Sequence, residues 1–116
     1  MVKVMLVEDD PIMIDLLNTL LELEGFEVST LSSGENFIKT VKNDDPDLIL
    51  LDVHLRGLGG AEINGFDLLK QIRSDATINN CTVVMSSGMD FKEKSKQNNA
   101  DGFILKPYMP GDLVVG

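Results

Sequence analysis

Cysteine is nearly absent from this chain: Cys81 is the only one among 116 residues. An internal disulfide is therefore excluded, and a reducing compartment, the cytoplasm, is the simplest expectation. Long apolar runs are missing too. Stretches such as Leu48 to Leu51 are far too short to cross a bilayer, so no membrane association is expected. Met1 to Val7 is broken by Lys3 and lacks the basic-then-apolar layout of a secretion signal. Positive charge is scarce: ten Lys and Arg stand against 19 Asp and Glu, for a net charge of -9. Such a surface repels nucleic acid phosphates, and no basic recognition helix is present, so direct nucleic acid binding is not expected. Repeats, low-complexity tracts and linkers are absent as well.

What remains is the composition of an ordinary globular protein, 43% hydrophobic and 25% charged. The length suits one domain over residues 1–116. The acidic balance fits a basic protein partner or metal ions, or serves solubility alone.

Short β-rich runs alternate with helical ones. Predicted strands cover Val2–Val7, Phe26–Leu31, Asp47–Leu51, Thr82–Ser86 and Gly102–Leu105. The third is apolar on both faces, as in a covered parallel sheet. Pro11 opens a helix in which Ile12, Leu16, Leu20 and Leu23 recur at helical spacing, and Gly25 stops it. Ser32 or Ser33 caps a second helix reaching about Asn43, with Phe37, Ile38 and Val41 inward. Gly65–Arg73 forms a third, with Phe66, Leu69 and Ile72 inward. A short polar helix spans Asp90–Asn98, and a last one begins near Pro110 and stops almost at once. The alternation predicts an α/β fold: a flavodoxin-like, doubly wound, five-stranded parallel sheet of order 2-1-3-4-5 with helices on both faces. In such sheets ligands bind beyond the strand C-termini, between the first and third strands.

The reactive residues fall at those ends. Glu8, Asp9 and Asp10 follow the first strand, Asp52 and His54 the third, Ser86 and Ser87 close the fourth, and Lys106 closes the fifth. Adjacent carboxylates at Asp9 and Asp52 repel, and a hard divalent cation relieves that conflict. Lys106 adds positive charge, and a serine hydroxyl can donate to a phosphoryl oxygen. Phosphoryl transfer needs mainly positioning and charge neutralisation. A carboxylate can accept the group as an aspartyl phosphate, and Asp52, ending the central strand, is the best candidate. Taken singly, each feature reads as a turn or a helix cap. Their order on four strands carries the argument.

The stretches Met5-Leu6-Val7-Glu8-Asp9-Asp10-Pro11, Asp47-Leu48-Ile49-Leu50-Leu51-Asp52, Val83-Val84-Met85-Ser86-Ser87-Gly88 and Ala100-Asp101-Gly102-Phe103-Ile104-Leu105-Lys106-Pro107-Tyr108 together resemble the receiver domain of two-component response regulators. The resemblance implies that Asp52 is the phosphoacceptor and Lys106 the phosphoryl contact. It implies a Mg²⁺ (or Mn²⁺) site made of Asp9, Asp52 and the backbone carbonyl of His54, with Glu8 acting through water. Ser87 is then the switch hydroxyl, Ser86 the register alternative, and Phe103 the switch aromatic. A cis Lys106–Pro107 bond is implied as well. The implied partners are a sensor histidine kinase or histidine phosphotransfer protein as donor, and a downstream protein or output domain as recipient. The implied output surface is the fourth helix, fifth strand and last helix. Such a domain is a signalling module and not an enzyme in the ordinary sense, although it promotes its own phosphorylation and dephosphorylation.

The chain departs from that pattern twice. Leu55-Arg56 stands where the family has Met-Pro, and a Gly-rich insertion over 56–64 delays Gly65; it reads as a lid, a kinase-docking feature or a tolerated loop. The last helix is truncated at Gly116, as in a piece of a longer regulator or a shortened domain. Two other functions compete. One is a receiver-like interaction module that works without phosphorylation, against which the intact set of reactive residues argues. The other is a haloacid dehalogenase type phosphatase, which needs an Asp where this chain has His54.

Overall fold

The computed structural model describes residues 1–31, 36–56 and 62–106. Its elements in chain order are β1 (Lys3–Val7), α1 (Pro11–Leu23), β2 (Glu27–Leu31), α2 (Phe37–Asp44), β3 (Leu48–Asp52), β4 (His54–Arg56), β5 (Glu62–Asn64), α3 (Gly65–Ser74), β6 (Thr82–Ser87), α4 (Lys92–Gln97) and β7 (Gly102–Leu105). Five strands make one parallel sheet of order β2-β1-β3-β6-β7, the predicted order once β4 and β5 are set apart.

The period-2 alternation of the strands divides the core between the two faces. Met5, Val7, Ile49, Leu51, Val83 and Met85 meet α2 and α3 through Phe37, Val41, Phe66, Leu69 and Ile72. Leu6 and Leu50 point the other way, onto Leu17 of α1. Full burial of one such side chain stabilises the fold by roughly 1.5–3 kcal/mol. On the α1 side an apolar hollow of about 480 Å³ lies among Val4, Leu21, Phe26, Leu50, Val84 and Ile104.

The α1 helix corrects one expectation. It starts where predicted, with Asp10 accepting from the Ile12 amide at 3.0 Å and Pro11 in the first turn. Yet Leu17 and Leu21 are its buried residues, while Ile12, Leu16 and Leu23 are exposed. The helix carries two apolar stripes about a third of a turn apart, and docking of α1 on the sheet selects between them.

The insertion is the second difference. Its described flanks form an antiparallel hairpin in which His54 pairs with Asn64, Leu55 with Ile63, and Arg56 with Glu62. Leu55 is fully buried in the main core and pins the hairpin down. Three expectations lie outside the described residues: the Ser32 or Ser33 cap, the Lys106–Pro107 bond, and the truncated last helix. At the start of α2, Asn36 takes a left-handed conformation without a side-chain cap. Among the described residues no helix is long and apolar enough to cross a membrane.

Candidate phosphoacceptor and metal site

Four parallel strands end side by side, and each delivers one part of the site. The acidic triplet after β1 divides its labour: Asp10 caps α1, which leaves Glu8 and Asp9 at the sheet edge. Glu8 is held there by its amide, which donates to the Leu31 carbonyl at 3.2 Å. Asp52 is fixed by pairing with Ser86 in register, and the next amide, Val53, donates to the Ser86 carbonyl at 2.9 Å. The Lys106 amide donates to the Ser87 carbonyl at 2.8 Å, which brings the last strand end to the same place.

The side chains converge accordingly. Lys106 Nζ donates to Glu8 Oε1 at 3.0 Å and Oε2 at 3.1 Å, and lies 3.1 Å from Asp52 Oδ1. Glu8 is 3% exposed and Asp52 6% exposed, so the ammonium joins two buried carboxylates. Burial pushes the Glu8 carboxyl up to about 7; the Lys106 hydrogen bond opposes the rise and Asp52 adds to it. Burial pulls the Lys106 ammonium down, but its hydrogen bond to Glu8 and the Asp52 charge outweigh that, and its pKa ends above the ordinary value.

Glu8, Asp9 and Asp52 each offer a carboxylate oxygen, and these atoms lie within 4.8 Å of one another. All donors are hard oxygens, and two of the three groups are buried. That set fits a hard divalent cation such as Mg²⁺, whose charge would offset the crowding that a single ammonium offsets in part.

Ser87 is buried, and its hydroxyl accepts from the Met89 amide at 3.1 Å, closing a short turn after β6. Register with β7 sets Met85 opposite Phe103 and Ser87 opposite Leu105. Ser87 and Phe103 therefore share a face of the sheet, while Ser86 alternates to the other face. Phe103 is half-buried and packs against the main core. His54 begins β4 two residues past Asp52. Its ring is half exposed, with Nδ1 3.4 Å from Glu62 Oε1 and the Phe91 ring centroid 5.9 Å away.

Two residues matter here that sequence reasoning passed over. Gly65 packs directly on the phosphoacceptor strand: its amide donates to the Val53 carbonyl at 2.6 Å, and a Cβ at this position would strike the Asp52 carbonyl oxygen. Only glycine permits that approach. The signal was present in Asn64-Gly65, since Asn64 caps α3 by accepting from the Phe66 amide at 2.8 Å. Phe91 carried no such signal, because it belongs to no periodic pattern.

Comparison with known proteins agrees with this arrangement. A family model for the response regulator receiver domain matches residues 4–115. The DNA-binding response regulator MtrA of Mycolicibacterium smegmatis is 29% identical over 97% of this chain and 47% of its own length. The cell cycle transcriptional regulator CtrA of Caulobacter vibrioides is 33% identical over the same shares, 97% and 47%. The chain thus spans about half the length of these curated relatives. A putative response regulator from Chloroflexus aurantiacus superposes with a TM-score of 0.86 at 27% identity, covering 97% of this chain and 91% of that one. Strand order, a carboxylate cluster at the switch point and a match over nearly the whole length coincide, and the chain belongs to the response regulator receiver domain family.

Proposed function

We propose that this chain is a phosphorylatable receiver that takes a phosphoryl group on Asp52 in a Mg²⁺-dependent reaction and thereby switches a partner-binding surface. The observation that carries the reading is the bridging of Glu8 and Asp52 by Lys106 at the strand ends. An ammonium so placed lies beside an incoming phosphoryl group as well as the acceptor that receives it. Asp9, Asp52 and the His54 backbone carbonyl would hold Mg²⁺ (or Mn²⁺), with Glu8 acting through water. The bound ion would supply charge neutralisation on the phosphoryl oxygens.

The donor is a phosphohistidine of a sensor histidine kinase or histidine phosphotransfer protein. An Asp52 carboxylate oxygen attacks phosphorus, the P–N bond to the donor imidazole breaks, and its electron pair stays on the ring nitrogen. Lys106 neutralises the oxygens of the group being transferred. Hydrolysis by water returns inorganic phosphate and the Asp52 carboxylate. Ser87 donates its hydroxyl hydrogen to the new phosphoryl group and moves inward. Phe103, on the same face of the sheet, fills the vacated space, and the change passes to a downstream protein or output domain. The reaction belongs in the cytoplasm, and the whole of residues 1–116 acts as one domain.

Intact mass spectrometry after incubation with acetyl phosphate tests this reading, with and without Mg²⁺, on the native chain and on Asp52→Asn. One phosphoryl gain that requires the metal and vanishes in Asp52→Asn is expected. No gain in a folded native chain would leave an interaction module that works without phosphorylation.

A further inference from the structure

The side chains of the hairpin inserted after the acceptor have no part in the chemistry above, yet one of them touches the switch. His54 is two residues from Asp52, and its ring meets the Phe91 ring edge-on, at 5.9 Å and 62°. Phe91 in turn meets Phe66 at 5.8 Å and 76°. Phe66 is buried in the main core, so one side of Phe91 rests on a fixed wall and the other on the hairpin.

Phe91 also anchors α4. It is the N-cap residue of that helix, and its carbonyl accepts from the Ser95 amide at 2.8 Å. Asp90 supports the helix start by accepting from the Lys92 amide at 3.0 Å. The helix is six residues long, has no side-chain cap from Phe91, and buries the Ser95 hydroxyl without a partner among the described residues. Lys94 adds a cation–π contact, its Nζ 4.8 Å from the Phe66 centroid.

Ser87 reaches the same residue along the chain. Its hydroxyl accepts from the Met89 amide, which closes residues 87–89 into a turn, and Phe91 lies two residues further. A path therefore closes on itself: Asp52, His54, Phe91, Ser87, and back to a phosphoryl group on Asp52. A movement of Ser87 toward Asp52 that carries this turn with it would shift Phe91 against His54. The imidazole is held for this by the hairpin's second strand, where Glu62 meets Nδ1 at 3.4 Å.

Building on the phosphoacceptor reading, we propose that the β4–β5 hairpin is a latch on the switch. Glu62 steadies the His54 ring, the ring braces Phe91, and the N-terminus of α4 stays in its resting position until the phosphoryl group pulls Ser87 inward. The latch raises the threshold for activation and gives the insertion a regulatory role.

The test uses the full chain labelled with ¹⁵N and titrated with beryllofluoride, a non-covalent phosphoryl mimic, at saturating Mg²⁺. Native protein is compared with His54→Ala, Glu62→Ala, Phe91→Leu and the His54→Ala/Phe91→Leu pair. Releasing the latch should lower the half-saturating beryllofluoride concentration about threefold in each single variant, the shift expected for one partly exposed aromatic contact. The double variant should match the stronger single, because both changes remove the same contact. Amides 91–95 should exchange faster with solvent in the variants before any mimic is added. Unchanged half-saturation in the single variants, or effects that multiply in the double, would overturn the latch. Normal behaviour of Glu62→Ala beside an altered His54→Ala would also overturn it, since the ring would then act without the hairpin. A changed Mg²⁺ titration in Phe91→Leu would assign the effect to the metal site and also overturn the proposal. Failure of the native chain to respond to beryllofluoride would instead sink the phosphoacceptor reading, and the latch with it.

Discussion

Replacing Glu8 by Gln isolates the electrostatic cost of assembling the site. The substituted amide keeps the shape and one carbonyl acceptor for Lys106 but cannot ionise. Native Glu8 titrates near 4.5 when unfolded and at about 7 when folded, mainly because burial penalises the charged form. Between those values the folded chain holds a proton that the unfolded chain has released. Stability therefore falls as pH rises through this window, and levels off on either side. The difference between those values corresponds to roughly 3–4 kcal/mol, at about 1.4 kcal/mol per pH unit. Urea unfolding of metal-free protein from pH 4.5 to 8 measures it, read as native minus Glu8→Gln so that other titrating groups cancel. The native midpoint should drop relative to the variant by about 1–2 M urea across the window. Mg²⁺ should recover much of the loss above pH 7, since a cation bound to the folded site favours ionised carboxylates. A difference curve that is flat, or that rises with pH, would refute the reasoning and place the cost of Glu8 elsewhere.

Two further substitutions probe packing. Gly65→Ala drives a methyl into the Asp52 carbonyl oxygen, so the strand end must shift. Acetyl phosphate labelling of Asp52 should slow at least tenfold, and urea unfolding should report a loss of about 2 kcal/mol or more. Asp101→Ala acts at the opposite edge of the sheet. There Asp101 Oδ2 accepts from the buried Val83 amide at 2.8 Å and from Arg73 at 3.0 Å. Leaving that amide unpaired should cost about 1–3 kcal/mol, with the phosphorylation rate unchanged.

Much of this protein was legible before folding was considered. Strand and helix alternation depends on local periodicity, and the rule that ligands sit at strand C-termini turns that pattern into a location. Glu8, Asp9, Asp52, Ser87 and Lys106 were therefore placed at one edge from residue order alone. Boundaries of the five main strands moved by at most a residue at either end.

Other features depended on relations between distant segments. Spacing singled out the Ile12 and Leu16 stripe of α1, which is exposed; Leu17 and Leu21 are equally apolar, and only docking on the sheet chooses between the two. Ser86 and Ser87 are chemically identical neighbours; pairing with β7 alone puts Ser87 on the face of Phe103. The bidentate hold of Glu8 on Lys106 joins residues 98 positions apart. The insertion read as a loop because its pairing is short and its anchor, Leu55, is one apolar residue without a pattern around it. Sequence determined the elements and the chemistry at their ends, since those follow from local periodicity and side-chain type. Tertiary structure decided which faces and which contacts, since those require two segments to be in place at once.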